Sequence, residues 1–365
     1  MVKLKMSMLP LKKTFSAVKI SNQLLLKMNI NPLKAPGNEA SIMKHWKYTD
    51  KVYVSCVCIT FNQEGYIRDA INGMLAQVTD YRFEVIIHDD VSNDNTRKIL
   101  LEYKNKYPNI IKLVLQTENQ YQQGKKITPL AIAHADGEYI ALCEGDDYWI
   151  DEYKLQKQIK ELISNPNVNL VITQALSSYP DETTEKFCNL GSTKRYISFA
   201  DCILGPKKDF YPTATFFFKR SIILSLPDWF YTIAPVGDYY IQLFASYNNG
   251  CIYLPDVTST YRRDSIGSWS QSLNFNKIIS DRKNRINCNK LISEELQLNK
   301  LEKLALNRRL FIYKKDITLS YLRHKKYFIF ILNIIINFFS SPIDYSKIMF
   351  ISLVRKIGTY IQSGD

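Results

Sequence analysis

The feature that most limits what this chain can fold into is an alternation between residues 52 and 173. Short apolar runs rich in β-branched residues take turns with stretches of helical period. The runs are Val52–Thr60 (VYVSCVCIT), Phe83–His88 (FEVIIH), Ile110–Leu115 (IIKLVL), Tyr139–Cys143 (YIALC) and Val168–Thr173. Between them, Ile67, Ala70, Ile71, Met74 and Leu75 recur at helical spacing, as do Ile99, Leu100, Tyr103 and Tyr107. A short helix over Pro129–Ala135 and a longer one over Lys154–Ser164, packing through Leu155, Ile159, Leu162 and Ile163, complete the set. Strand alternating with helix predicts an α/β fold with a mostly parallel, Rossmann-like sheet and right-handed crossovers.

Ligands of such sheets bind outside the carboxyl ends of the strands. Three polar clusters stand at three of those ends: Thr60-Phe61-Asn62, Asp89-Asp90 and Glu144-Gly145-Asp146-Asp147. Each alone is turn chemistry. Together they converge on one crevice. The last cluster supplies three carboxylates in four residues, a donor set that suits Mg²⁺ or Mn²⁺. The alternative is a solvated acidic turn that caps the next helix through Asp147 or Asp151. Later, Asp238 opens a helical stretch, Asp238–Tyr247, where on its own it reads as a plain N-cap. Trp149 and Trp269 flank these segments, as aromatic contact surfaces or as core residues. Strands are also expected at Phe216–Phe218 and Cys251–Leu254.

Charge narrows the function classes. The net charge is +13, yet residues 35–299 carry 29 basic and 31 acidic residues. Residues 1–34 hold seven lysines and no acid, and residues 300–365 hold twelve basic against four acidic residues. A nucleic-acid enzyme carries its basic charge around the cleft, so a nearly neutral middle argues against nucleic acid as a partner. It also argues against reading Gly145-Asp146-Asp147 as a polymerase triplet. Basic ends interleaved with apolar residues fit an anionic membrane surface. Tyr327–Phe339 is the most lipid-like stretch, but at 13 residues it falls short of the ~20 that span a bilayer. Lys326, Asn333, Asn337, Ser341 and Asp344 would form a narrow polar stripe on it, as on a helix lying in a membrane plane or packed on protein. No secretory leader is expected at the N-terminus. The seven cysteines include no C-x-x-C pair and read as small core residues of a reducing compartment. Dinucleotide, P-loop and serine-hydrolase motifs are absent from the sequence.

Several blocks in order resemble a known family. Val54–Asn62 (VSCVCITFN), Glu64-Gly65-Tyr66-Ile67, His88–Thr96 (HDDVSNDNT) and Asp136–Trp149 (DGEYIALCEGDDYW) look like the signatures of family 2 glycosyltransferases of the GT-A fold. Cys143–Trp149 with Lys154–Gln158 resembles a bacterial surface-polysaccharide subgroup, as do Pro235–Asp238 and Tyr261–Ser270 (YRRDSIGSWS). The resemblance covers roughly residues 52–272. It implies sugar transfer, with inversion, from a nucleotide-sugar donor to a hydroxyl of a glycan or lipid-linked acceptor. Thr60, Asn62 and Glu64 would border the nucleotide, and Asp90 would bond the base, uracil in the commonest case. Glu144 would take the first acidic place of the D-x-D motif, and Asp146 or Asp147 would hold Mg²⁺ or Mn²⁺ at the diphosphate. Asp238 would be the catalytic base, and Trp149 and Trp269 possible acceptor contacts.

Two positions depart from the pattern: Glu144 for the first aspartate, and Asp264 where a histidine usually stands. An ionised carboxylate cannot donate the hydrogen bond that a histidine can. The expected layout is a basic extension (1–50), a GT-A catalytic domain (51–272) and an amphipathic helical, membrane-associating region (273–365). The expected location is cytoplasmic, peripheral on the inner face of the membrane. A non-catalytic polysaccharide-assembly scaffold is the alternative from another class. A sugar-nucleotide nucleotidyltransferase is a weaker one, since Phe61–Tyr66 lacks its glycine-rich basic loop.

Overall fold

The computed structural model describes residues 31–206, 210–266, 274–338 and 346. The chain enters through α1 (Ala40–Met43) and runs β1 (Val54–Thr60), α2 (Ile67–Leu75), β2 (Phe83–Asp89), α3 (Thr96–Lys106), β3 (Ile111–Leu115), α4 (Ile127–Ile132), β4 (Tyr139–Leu142), β5 (Tyr148–Trp149) and α5 (Lys154–Ser164). It continues as β6 (Leu170–Ser178), β7 (Thr184–Phe187), β8 (Arg195–Ile197), α6 (Phe199–Leu204), β9 (Phe217–Lys219), α7 (Ser221–Leu224), α8 (Asp228–Thr232), α9 (Asp238–Ser246) and β10 (Cys251–Arg262). Three helices close the described part: α10 (Phe275–Glu295), α11 (Lys300–Arg323) and α12 (Tyr327–Phe338).

The described strands form one sheet in the order β3-β2-β1-β4-β9-β6-β10-β5, with β7 on β6 and β8 on β10. β1 pairs in parallel with both β2 and β4, β2 with β3, and β6 with β10. The remaining pairings are antiparallel and shorter. Strand order reverses at β1: β2 and β3 lie to one side and β4 to the other. That switch point opens a crevice at the carboxyl ends of β1 and β4, where Thr60 and the acidic turn 144–147 stand.

Side-chain alternation explains the layers. Val54, Cys56 and Cys58 of β1 face a core shared with α2, α3 and α5, whereas Val57 faces the opposite core, shared with α4, α6 and α9. The expected placing of Cys56 and Cys58 on one face therefore holds, and all seven cysteines are buried free thiols. Ile163, expected to pack with Leu155 and Ile159, is instead exposed.

Two stretches differ from the sequence expectation. Residues 36–50 are folded onto the sheet-bearing unit. Ile42 is buried, Glu39 accepts from the Asn109 and Ile110 N–H groups, and the Tyr107 hydroxyl donates to the Pro36 carbonyl at 2.5 Å. Trp46 and Met43 pack with Ile42 on the core, and Tyr48 stacks on Tyr81; the segment carries no strand or helix period that would have announced this. The strand at 251–254 runs on through Pro255 to Arg262, with register shifts against β6 after Leu254 and Val257. Those irregularities accommodate the proline that made the segment look finished. Trp269, Ser341 and Asp344 lie outside the described residues.

Candidate active site

Two loops that leave β1 and β2 build the first wall of the crevice by binding each other. The Asn62 N–H donates to Ser92 Oγ (2.8 Å) and Asn62 Oδ1 accepts from the Asn93 N–H (2.7 Å). The Gln63 N–H donates to Thr96 Oγ1 (2.9 Å) and the Glu64 N–H to Asp94 Oδ2 (3.0 Å). Glu64 Oε2 accepts from both the backbone N–H and the side-chain amide of Asn95, at 2.8 and 2.7 Å. The carboxylate thus lies against the N-terminus of α3, where the helix dipole favours negative charge. Asn62 (φ 53°) and Val91 (φ 67°) both adopt left-handed backbone. That is ordinary for asparagine and strained for a β-branched residue.

The two aspartates at the end of β2 divide the work. Asp89 is fully buried and bonds the Arg97 guanidinium at 2.7 and 2.8 Å. Asp90, also buried, accepts the Gln120 N–H on Oδ1 (2.7 Å) and the Tyr121 N–H on Oδ2 (3.0 Å). It thereby pins the loop after β3 over the crevice. Thr60 Oγ1 donates to Gln63 Oε1 (2.8 Å), and the Thr60 carbonyl accepts the Asp90 N–H (3.1 Å).

The acidic turn packs directly against this wall. A Cβ on Gly145 would lie 2.2 Å from Gln63 Oε1, 2.8 Å from Thr60 Oγ1 and 2.9 Å from Thr60 Cβ. Only glycine permits that approach. The three carboxylates around Gly145 then face different ways. Glu144 and Asp146 keep part of their surface open, whereas Asp147 is buried. Asp147 Oδ1 accepts the Arg262 N–H (2.9 Å), and among the described residues its buried Oδ2 has no hydrogen-bond partner. Asp146 Oδ2 accepts from Ser265 Oγ (2.7 Å). Burial, then the Asp146 charge, then that of Asp238 push the Glu144 carboxyl up to about 8. Burial, followed by Asp146 and Glu144, raises Asp147 well above the carboxylate range.

Asp238 enters from a distant part of the chain, at the first residue of α9. Its Oδ1 accepts the Tyr239 N–H (2.7 Å), and among the described residues Oδ2 has no hydrogen-bond partner. Burial raises its affinity for a proton, opposed by the Arg285 charge on α10. Its charge is in turn one of those that raise the Glu144 carboxyl.

Residues 55–225 match the family model described as Glycosyl transferase family 2. This segment, just under half of the chain, is thus similar to family 2 glycosyltransferases. It holds the loops of the first wall and the acidic turn; Asp238 and Arg262 lie beyond the matched residues. An uncharacterized protein of Mycobacterium tuberculosis is 34% identical over 216 residues, covering 59% of this chain and 60% of the relative. The chain thus matches less than two thirds of that relative's length. Escherichia coli WfgD, a UDP-Glc:α-D-GlcNAc-diphosphoundecaprenol β-1,3-glucosyltransferase, is 34% identical over 117 residues, covering 32% of this chain and 43% of its own. Among solved structures, the mannosyltransferase PcManGT of Pyrobaculum calidifontis, in complex with GDP-Man and Mn²⁺, aligns with a TM-score of 0.55 at 16% identity. It covers 90% of this chain and 84% of its own, and so carries the GT-A fold across the sheet and into the helical end.

The crevice is bordered by the loops that carry Thr60, Asn62, Glu64, Asp90, Glu144, Asp146 and Asp147, with Asp238 acting on Glu144 from α9. Trp149 is elsewhere: it is fully buried, its indole N–H donates to the Ala214 carbonyl (3.1 Å), and Gly73 of α2 packs on its backbone. In this position it is a core residue and offers no face to an acceptor. Arg262 was not singled out by sequence reasoning. Its Nη1 donates to the Asp146 carbonyl (2.9 Å), its Nη2 bonds Asp69, and its guanidinium lies 4.3 Å from the Tyr148 ring centroid. Ser265 and Gln63 are likewise new. The signal for Arg262 and Ser265 was their place inside the block Tyr261–Ser270. Asp264 adopts left-handed backbone (φ 57°) and is exposed.

Among the described residues no group of three or more His, Cys, Asp or Glu is arranged as metal ligands. The turn nevertheless fits a divalent cation by charge and donor type. Two part-open carboxylates and one orphaned, buried carboxylate oxygen concentrate negative charge that no described cation offsets beyond Arg262.

Proposed function

We propose that the chain is an inverting glycosyltransferase that uses a nucleotide-sugar donor, with UDP the favoured nucleotide. It would glycosylate a hydroxyl of a glycan or lipid-linked acceptor during surface-polysaccharide assembly. The observation that carries the reading is that the charge of Asp238 acts on Glu144 of the acidic turn, from positions 94 residues apart in the chain. The E. coli relative, by its name a UDP-glucose enzyme acting on a diphosphoundecaprenol acceptor, supports the donor and acceptor classes.

In the transfer, the acceptor oxygen bonds to the anomeric carbon as the bond from that carbon to the diphosphate oxygen breaks. Attack from the face opposite the leaving group inverts the centre. The acceptor proton passes to Asp238, whose Oδ2 is the available atom. The Tyr239 N–H holds the other oxygen and so fixes the carboxylate's orientation. Glu144 and Asp146 would hold Mg²⁺ or Mn²⁺, with Asp147 behind them. When bound, the cation supplies Lewis-acid stabilisation of the charge that grows on the diphosphate. Arg262 and Ser265 hold the turn in place, and the interlocked loops 62–64 and 92–96 shape the nucleotide side. A lipid-linked acceptor places the reaction at a membrane, with the protein peripheral on its cytoplasmic face.

The test is nucleoside diphosphate release from a panel of UDP-, GDP- and dTDP-sugars, with Mn²⁺ or EDTA, with and without lipid-linked acceptor. Release from one donor, abolished by EDTA, supports the reading. Asp238→Asn should lower turnover by about 10²–10⁴ and leave donor binding intact. Unchanged turnover in that variant removes Asp238 as the base. Absence of donor binding to any nucleotide sugar moves the chain to a non-catalytic scaffold.

A further inference from the structure

The C-terminal helices carry a surface that sugar transfer does not use. Helix α12 is apolar on both sides. Phe330 and Ile334 are buried against Phe311, Leu319, Tyr321 and Leu322. On the other side Phe328 is 79% exposed, Ile331 55%, Leu332 43%, Ile335 56% and Ile336 64%. Their spacing puts all five on one face, and among the described residues nothing covers it. A face of this density is not an ordinary protein surface.

Two further features say what covers it. The polar side chains within the helix are folded back on it: the amide of Asn333 donates to the Ile329 carbonyl (2.9 Å) and that of Asn337 to the Asn333 carbonyl (2.8 Å). Groups satisfied in this way tolerate an apolar solvent. The helix is also preceded by Arg323, His324, Lys325 and Lys326. Lys326 reaches a cleft of about 440 Å³ between α10, α11 and α12, where its Nζ stands 4.2 Å from the Phe275 ring centroid. Lys283 and Ser280 share that cleft with Ile279 and Tyr321, and among the described residues no acidic side chain lines it.

We propose that α12 and this cleft form a docking site for an anionic phospholipid surface. The face of Phe328, Ile331, Leu332, Ile335 and Ile336 enters the acyl boundary, and the cleft with Lys283, Lys326 and Ser280 receives a lipid phosphate. The helix lies in the membrane plane. Its 12 residues reach ~18 Å, against a hydrocarbon core of ~30 Å, and no described helix is long and apolar enough to cross. This surface deepens the peripheral-membrane part of the functional reading but does not depend on catalysis, since its readout is binding.

The experiment is co-sedimentation of the full chain with vesicles of phosphatidylglycerol and phosphatidylethanolamine, or of phosphatidylcholine alone, at several salt concentrations. Binding is expected to the anionic vesicles and to weaken with salt. Ile331→Asn with Ile335→Asn, both exposed, should leave the melting temperature unchanged and lower vesicle affinity tenfold or more. Lys283→Gln and Lys326→Gln should each lower it about fivefold on anionic vesicles alone. Millimolar inorganic phosphate should not displace the protein; displacement would show a free-phosphate site and overturn the lipid assignment. Wild-type affinity in the double isoleucine variant would overturn it too. So would lipid-free self-association that the same variant abolishes, because the face would then belong to a second copy of the chain. Donor turnover measured in parallel separates a failure of docking from a failure of the transferase reading.

Discussion

Replacing Glu144 by glutamine tests whether the acidic turn is an electrostatically loaded site. Burial and the neighbouring Asp146 and Asp238 charges raise the Glu144 carboxyl from 4.5 to about 8. Between those values the folded protein keeps a proton that the unfolded chain has released. Stability is therefore full below pH 4.5 and falls as pH rises towards 8. Each pH unit of that interval is worth at most about 1.4 kcal/mol, so the ceiling is about 5 kcal/mol. Asp146 and Asp238 relax when Glu144 ionises, and part of its side chain meets water. A loss of about 2–3 kcal/mol is the working figure, or about 5–10 °C in melting temperature for a domain of this size. The assay is thermal unfolding of cation-free protein from pH 5 to 8.5, wild type against Glu144→Gln. The wild type should lose stability across the range. The variant should be flatter and should melt higher at pH 8. Mn²⁺ with UDP should flatten the wild-type profile and do much less for the variant. Parallel profiles for the two proteins would refute the reasoning, because the carboxylate would then be as well solvated in the crevice as in the unfolded chain.

Three further substitutions probe separate parts of the site. Gly145→Ala drives a Cβ into Thr60 and Gln63; it should cost about 1–3 kcal/mol in urea unfolding and weaken UDP binding, and wild-type values in both would show that the wall yields. Asp90→Asn sets an amide N–H₂ against one of the two backbone donors at Gln120 and Tyr121. It should cost about 1–3 kcal/mol and speed amide exchange in the loop after β3. Trp149→Phe removes the indole bond to the Ala214 carbonyl and leaves a void. A stability loss of about 1–3 kcal/mol with unchanged acceptor KM is expected, and a raised KM at wild-type stability would restore Trp149 to the acceptor side.

How far the site was legible follows from where its information lies. Strands β1 to β4 were readable because their runs are mostly apolar and the helices α2, α3 and α5 between and after them show their period over two or three turns. Helix α5 begins and ends where the spacing put it, at Lys154 and Ser164. The short antiparallel strands were not readable. β5 has two residues, β8 has three, and the latter is largely exposed. Pairing across the sheet, not local composition, makes them strands. Helix α6 was missed although Ser198 caps it, its Oγ accepting the Asp201 N–H; six residues are too few for a period to show.

The site itself shows a sharper limit. Residue type marked Glu144, Asp146 and Asp147 as equivalent, because three carboxylates in four residues offer the same chemistry on paper. Side-chain direction separates them. Glu144 and Asp146 stay part-open on the crevice, while Asp147 turns inward to the Arg262 N–H, a partner 115 residues away. The same turn sends Trp149 into the core under α2, so a tryptophan beside a sugar-transfer motif ends up as packing. An arginine hidden among the three charges of Tyr261–Asp264 becomes the strut of the acidic turn. Those assignments depend on β10 running past Pro255 alongside β6 until its last residue reaches the turn after β4. No local window contains that fact. Substituting Asp147 and Asp146 separately by asparagine would expose the division directly. Asp146→Asn should abolish Mn²⁺-dependent donor binding. Asp147→Asn, which removes the cost of protonating a buried, half-unpartnered carboxyl on folding, should raise the cation-free melting temperature at pH 7 and cost far less in binding. Equal loss of binding in both would put the two carboxylates back on the same footing.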